Sequence, residues 1–208
     1  MTVVDAVAFC GAVIAVGIPL PQFLLVVRTR DTHGLSIVMW VLSLGTVASW
    51  LSHGIRLDVV NMVWPNVLSL AMTTTILFML YRQGKYHWYA TWLPGLALGA
   101  LLIGLDYGVG TACYGIAVVI PQAYGMVRQG IALIRAERVS GVSIPSWIFQ
   151  VVNQLVWLIW AVMAHETGTF ISAVVSLVAA LFVLLWRILR ACGLGPIGGR
   201  HLSVSRKQ

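Results

Sequence analysis

Apolar residues in this chain neither alternate nor form a single stripe; they run on. Seven stretches, near Val3 to Val27, Leu35 to Ile55, Val59 to Tyr81, Trp88 to Leu105, Tyr107 to Met126, Ser143 to Ala164 and Gly168 to Leu189, are apolar nearly all round, with short polar segments between them. A helix of a soluble protein keeps one polar face, whereas a helix that is apolar on every side needs an apolar surrounding. A hydrocarbon core about 30 Å thick is crossed by about 20 residues of helix. The pattern therefore predicts an all-α membrane protein of seven transmembrane helices with no room for a separate soluble domain. Composition agrees: 60% of residues are hydrophobic and 9% charged, against about 25% charged in a soluble domain. No basic residue precedes the first stretch, Asp5 stands near its start and no small-residue cleavage site follows it. It is expected to be retained, with the mature chain beginning near Met1.

Charge adds an orientation. Arg28, Arg30, Arg82, Lys85, Arg128, Arg135, Arg138, Arg187, Arg190, Arg200, Arg206 and Lys207 all follow odd-numbered stretches or lie in the tail, and only Arg56 falls on the other side. Basic segments stay on the cytoplasmic side, so the asymmetry predicts an odd number of crossings, an outside N-terminus and a cytoplasmic C-terminus, in the cell (plasma) membrane. The net charge of +7 is spread over short segments with no stacking platform, and no nucleic-acid partner is expected. The tail after Cys192, with Gly193, Gly195, Pro196, Gly198 and Gly199, is expected to be disordered, its basic end touching anionic lipid. Cys10, Cys113 and Cys192 show neither disulfide nor metal spacing and are expected only to fill space.

The chain also repeats. Pro21-Gln22 recurs as Pro121-Gln122, an offset of 100 residues. Thr32-His33-Gly34-Leu35-Ser36 aligns with Val139-Ser140-Gly141-Val142-Ser143, Trp40 with Trp147 and Trp50 with Trp157, at an offset of 107. The difference predicts an insertion in the second connection, around Gly130 to Glu137. Three crossings reverse the chain, so an extra span between two three-helix units makes them parallel. The expected division is residues 1–84 for the first bundle, 85–106 for the linker helix, 107–191 for the second bundle and 192–208 for the tail.

Proline inside a helix removes a backbone donor and clashes with the preceding turn, and in lipid the freed carbonyl needs another partner. Pro21, preceded by Gly17 and Pro19, and Pro121, preceded by Gly115, therefore predict bends, with Gln22 and Gln122 available to satisfy the exposed backbone. Paired hinges and static kinks are both compatible with this pattern.

Polar residues inside the spans fall on faces. Gln150, Asn153, Gln154 and Trp157 share one face of the sixth span; Ser43, Thr46 and Trp50 share the matching face of the second; Asn66, Ser69 and Thr73 lie on the third, and Ser172 and Ser176 on the seventh. Convergence on one cavity would suit a neutral polyhydroxylated ligand, because amides donate to and accept from hydroxyls and indoles pack on sugar C–H surfaces. Helix-to-helix bonding is the plainer reading for Ser69, Thr73 and Ser176. Acidic and basic side chains are absent from the middle of every span; Asp58, Asp106 and Glu166 fall at the outer ends, so the usual mark of a proton-driven pump is missing. His53 is expected to pack between helices near an outer end. No nucleophile, base or metal grouping points to an enzyme, and neither cofactor nor metal is expected.

The duplicated Pro-Gln, together with Trp50, Gly54, Asp58, Pro65 and Asn66, resembles the PQ-loop superfamily and within it the SWEET sugar transporters, from about Ala6 to Leu189. The resemblance implies an alternating-access uniporter of two three-helix bundles. Substrate would lie between aromatic residues on the second and sixth helices and asparagines on the third and seventh, which nominates Trp50, Asn66 and Trp157. The second asparagine falls at Ser172-Ala173, and Asn153 of the sixth-span stripe joins the expected site. The family's helix-end prolines match Pro21, Pro121 and Pro145, with Val38 at the remaining position. Tryptophan at both aromatic positions resembles the half-size bacterial relatives and implies a narrow cavity and a monosaccharide. The expected function is facilitative transport of a neutral sugar, with sugar and membrane lipid as partners and homo-oligomerisation open. The rivals are another PQ-loop transporter, of amino or organic acids, and a membrane receptor or scaffold that transports nothing.

Overall fold

The computed structural model describes residues 3–56, 58, 60–84, 86–163 and 167–197. Met1, Val59, Lys85, Ala164, Glu166 and the tail from Gly198, with Arg200, Arg206 and Lys207, lie outside them. The described residues are helical apart from short turns: α1 (Val3–Gly17), α2 (Pro19–Thr29), α3 (Ile37–Arg56), α4 (Val60–Arg82), α5 (Trp88–Gly108), α6 (Thr111–Arg135), α7 (Ile144–Met163) and α8 (Thr167–Ala191). Seven spans are long and apolar enough to cross a membrane, the first being α1 and α2 together (Ala6–Thr29). That span is divided at Ile18, between Gly17 and Pro19. Ile18 closes a tight turn, its N–H on the carbonyl of Ala15 at 3.3 Å, and Pro19, which has no N–H to offer, opens α2.

Packing repeats with the sequence. In the first half α4 packs on both the first span and α3; in the second half α8 packs on both α6 and α7. Across the halves, α1 and α2 lie on α7 while α3 lies on α6. Each three-helix unit has its own apolar core, Trp40, Val41, Leu44, Ile76, Leu77 and Leu80 in one and Met126, Leu133, Val142, Trp147, Ala179, Ala180 and Val183 in the other.

The linker helix α5 belongs physically to the first bundle. Gly95 and Gly99, one turn apart, face Gly45 of α3 so closely that a Cβ on Gly45 would stand 2.6 Å from the carbonyl oxygen of Gly95 and 3.0 Å from the nitrogen of Gly99. Without hydrophobic drive between helices in lipid, such backbone approach supplies the packing that holds them.

Three expectations change. The fifth span does not start at Tyr107: α5 runs to Gly108 because Asp106 is satisfied inside the protein, and the chain turns at Gly110, whose φ of 111° suits glycine. The expected insertion around Gly130 to Glu137 is not found: α2 ends at Thr29 and α6 at Arg135, so the connections that follow are of nearly equal length. The tail does not leave the protein at Cys192, since the Ile197 N–H donates to the carbonyl of Ile134 at 3.0 Å. Arg190 caps the same end of α6, reaching the carbonyls of Leu133 and Ala136 at 2.7 and 2.6 Å, as a cation at a helix C-terminus should.

Gly45→Val is expected to lower thermal stability in detergent by about 1–3 kcal/mol, because the clashing atoms are backbone. Gly104→Val, on the same linker helix but with nothing within 4 Å of its Cβ position, should leave the melting temperature in place. Equal melting temperatures for both variants would contradict the close α3–α5 approach.

Candidate functional site

The two connections at the basic end of the molecule, residues 30–36 and 136–143, grip each other. Gln22 donates its side-chain N–H to the carbonyl of Gly141 at 2.6 Å and accepts the N–H of Ser143 at 2.7 Å. Gln129 does the same in reverse, donating to the carbonyl of Gly34 at 2.8 Å and accepting the N–H of Ser36 at 2.8 Å. Every member of one set sits 107 residues from its counterpart in the other. The expected partner Gln122 is therefore replaced by Gln129. Gln122 and Gln129 stand seven residues apart, about two helical turns, so they lie on one face of α6, and the one nearer the connection is the one that reaches it.

The turns themselves match, with Leu35 N–H on the Thr32 carbonyl and Val142 N–H on the Val139 carbonyl, each at 3.1 Å. Their contact tolerates no side chain. A Cβ on Gly141 would meet the His33 nitrogen at 2.7 Å and the Asp31 carbonyl oxygen at 2.8 Å, while Gly34 has a φ of 85°. Gly141 N–H donates to the His33 carbonyl at 3.2 Å, and Ser140 donates to the carboxylate of Asp31. Burial opposes the charge on Asp31, but the Ser140 hydroxyl, the His33 backbone N–H and the His33 imidazole outweigh it and bring this carboxyl down to about 2. A carboxyl lowered on folding stabilises above its unfolded value and loses that contribution as pH falls toward the folded one, so this seam keeps its charge pattern down to the acid range below about pH 4.

Of the prolines, Pro21 lies in the first turn of α2, just past the break at Ile18. Pro121 sits inside an uninterrupted α6, and Pro145 is the second residue of α7, exposed, where a proline fits a helix start without bending it.

The indoles occupy equivalent seams. Trp50 on α3 meets Tyr114 of α6 edge-on at 5.2 Å and packs with the cluster of Leu102, Tyr114 and Val118. Trp157 on α7 lies against α1, where a Cβ on Gly11 would be 3.2 Å from its ring, and Gly11 is the repeat counterpart of Val118. Each tryptophan thus packs on the first helix of the opposite bundle, half-buried, and the structure brings neither onto the other. Asn66, half-buried on α4 beside Pro65, donates to the carbonyl of Met62 at 2.7 Å. On α7, Gln150, Asn153 and Gln154 are all buried, and Asn153 Oδ1 has no hydrogen-bond partner among the described residues. Ser43 and Thr46, by contrast, bond back to their own helix. Ser172 is half-buried on α8 and Ala173 beside it is buried. A half-open cavity of about 320 Å³ lies at the basic end between Thr32, His33, Leu80, Gln83, Tyr86 and Arg138, away from the indoles.

The opposite end holds a cluster that the linear pattern hides. Asp106, 1% exposed, accepts from Arg56 through Nε at 3.0 Å and Nη2 at 2.7 Å, and its other contact is Nδ1 of His53 at 2.8 Å. His53 stacks on Tyr114 with centroids 4.7 Å apart, and the Tyr114 hydroxyl is 3.2 Å from that of Ser49. His53 was expected only to pack between helices; its charged partner lies 53 residues away, beyond any local pattern. Arg56, the lone basic residue on its side, was the available signal.

Residues 2–86 match the family described as sugar efflux transporters for intercellular exchange. The chain is also similar to a sugar transporter SemiSWEET of Escherichia coli (strain UMEA 3162-1), 32% identical over 68 residues, which are 32% of this chain and 76% of that protein. This chain belongs to the SWEET-type PQ-loop family. The family match covers the first half; the second half enters the pattern through its internal equivalence, Gln22 with Gln129 and Trp50 with Trp157. In this chain each half's glutamine holds the other half's turn.

Gln22→Leu should expose the Ser143 amide, and Gln129→Leu the Ser36 amide, each leaving a backbone donor and acceptor without partner at about 1–3 kcal/mol. Hydrogen exchange of peptides covering residues 31–37 and 138–144 reads this directly. Gln122→Leu is expected to change neither, and deprotection of the first loop by that variant to the same degree would overturn the assignment.

Proposed function

We propose that the protein carries a neutral monosaccharide down its gradient by alternating access, in the cell membrane, with its N-terminus outside and its basic end cytoplasmic. The observation that carries this reading is the reciprocal placement of the two bundles. They meet along two equivalent seams, α1 and α2 on α7 and α3 on α6, and at the basic end the two turns are joined by side chains that each bundle lends to the other. Hydrogen bonds near a water interface are replaced by bonds to water at small net cost, about 1 kcal/mol each, so such a closure can part. Family membership supports a sugar as the cargo: the similar Escherichia coli protein is a sugar transporter by name.

The path in this proposal runs between the seams. Trp50 and Trp157 offer apolar faces to the sugar ring. Asn66 and Asn153 offer amides to its hydroxyls, and the unpartnered Asn153 Oδ1 suits a hydroxyl donor. Ser172 takes the place of a second asparagine with a shorter group, and the break at Ile18 beside Pro21 lets α2 swing with the basic end. Pro121 and Pro145 would act as the matching elements of the second half.

Radiolabelled glucose uptake and efflux in proteoliposomes test this. The unmodified protein should equilibrate glucose at the same rate with and without a proton gradient. Trp50→Ala, Asn66→Ala and Trp157→Ala should each slow it, the tryptophan changes by about tenfold, which corresponds to about 1.4 kcal/mol of lost contact. Flux that needs the proton gradient would favour a coupled transporter, and absence of sugar flux from folded protein would favour a receptor or scaffold; both overturn the proposal.

A further inference from the structure

The charged cluster opposite the basic end joins two kinds of contact. Arg56 and His53 on α3 both reach Asp106 on α5, and α3 and α5 are held as one body by Gly45, Gly95 and Gly99. His53 and Ser49 then cross to Tyr114 of α6, in the other bundle. A carboxylate on the linker helix, outside both repeats, thus fixes the ring that forms the bundle-to-bundle contact. The second half has no counterpart, because the residue 107 positions after His53 is Trp160.

We propose that Asp106 is a positioning residue for transport: it holds His53 flat against Tyr114, so that the α3–α6 seam parts less readily in acid. This rests on the transport reading above. The groups facing His53 are Arg56 on its own helix, Asp106 with Tyr107 beside it on α5, and Tyr114 on α6, while α4 approaches Gly54 with the apolar Met62. Neutral His53 donates its Nδ1 hydrogen to Asp106. A proton added at Nε2 places a cation on the face of the Tyr114 ring, which strengthens the α3–α6 contact, while Asp106 on α5 holds the ring in place and balances the added charge. Without Asp106 the ring is neither oriented nor charge-balanced.

The test uses the full chain in phosphatidylcholine–phosphatidylglycerol liposomes at equal pH inside and out, with Cys10, Cys113 and Cys192 replaced by serine. Spin labels at Ile55→Cys and Ile116→Cys, both exposed (60% and 67%), report the distance across the seam, and glucose exchange is measured on unlabelled protein. Lowering pH from about 8 to about 5 should narrow the distance distribution to its short component and slow exchange several-fold. Asp106→Asn and His53→Gln should abolish both responses, and Asp106→Glu should restore part of them. The paired change Arg56→Met with Asp106→Asn, which leaves no lone buried charge, serves if Asp106→Asn alone does not fold. A pH-independent distance in the parent protein, or a full pH response retained without Asp106, would overturn the proposal. If the distance responds as expected but glucose does not move at any pH, the positioning role stands and the transport reading falls.

Discussion

A glutamine side chain ends in one acceptor and a pair of donor hydrogens, and Gln22 and Gln129 use both ends on backbone groups two residues apart in the opposite half. The turns they hold sit where one bundle ends against the other, and backbone groups buried there without a partner would cost about 1–3 kcal/mol each. Neither turn can satisfy these groups alone, so each half is completed by the other. The glycines follow from this. Gly34 and Gly141 allow the turns to approach within backbone contact, which brings the carbonyls within reach of the amides. Asp31, Ser140 and His33 then add a second layer of bonds outside the first, and Arg190 fixes the end of α6 from which the second turn starts.

The linker helix breaks the symmetry that this clasp expresses. Its topological task is parity, since an even number of further crossings would invert the second bundle. Its packing, however, is one-sided: Gly95 and Gly99 lock it to α3, and Asp106 ties its end to His53 and Arg56. The two seams are consequently unlike in chemistry. One carries the aromatic and charged group of Trp50, His53, Tyr114 and Asp106; the other carries Trp157 on Gly11 and the buried amides of α7.

Hydropathy made the seven spans readable, and the spacing of Trp40, Trp50, Trp147 and Trp157 made the two halves readable. The glutamine correspondence was misread because the dipeptide Pro-Gln recurs at one offset while the turns recur at another, and Gln122 and Gln129, two helical turns apart, share one face with nothing local to choose between them. The choice is made by distance to Gly34, which only packing fixes. The burial of Asp106 was out of reach for a similar reason: its position at the end of an apolar run reads as a solvated helix terminus, and its partners come from a helix about 50 residues earlier. The Gly95 and Gly99 spacing was readable and marks close packing, but not against which helix. Of the expected site, Trp50 and Trp157 each pack on the first helix of the opposite bundle but among different neighbours, whereas Asn153 stands apart through its unpartnered oxygen.

The account depends on the basic-end seam being a closure that opens during each cycle. Disulfide trapping tests this most directly: Asp31→Cys with Ser140→Cys, in protein whose native cysteines are serine, joins two positions whose side chains are bonded across the seam. Oxidation should stop glucose exchange in proteoliposomes and reduction should restore it. Undiminished exchange in protein shown to be fully cross-linked would contradict the account.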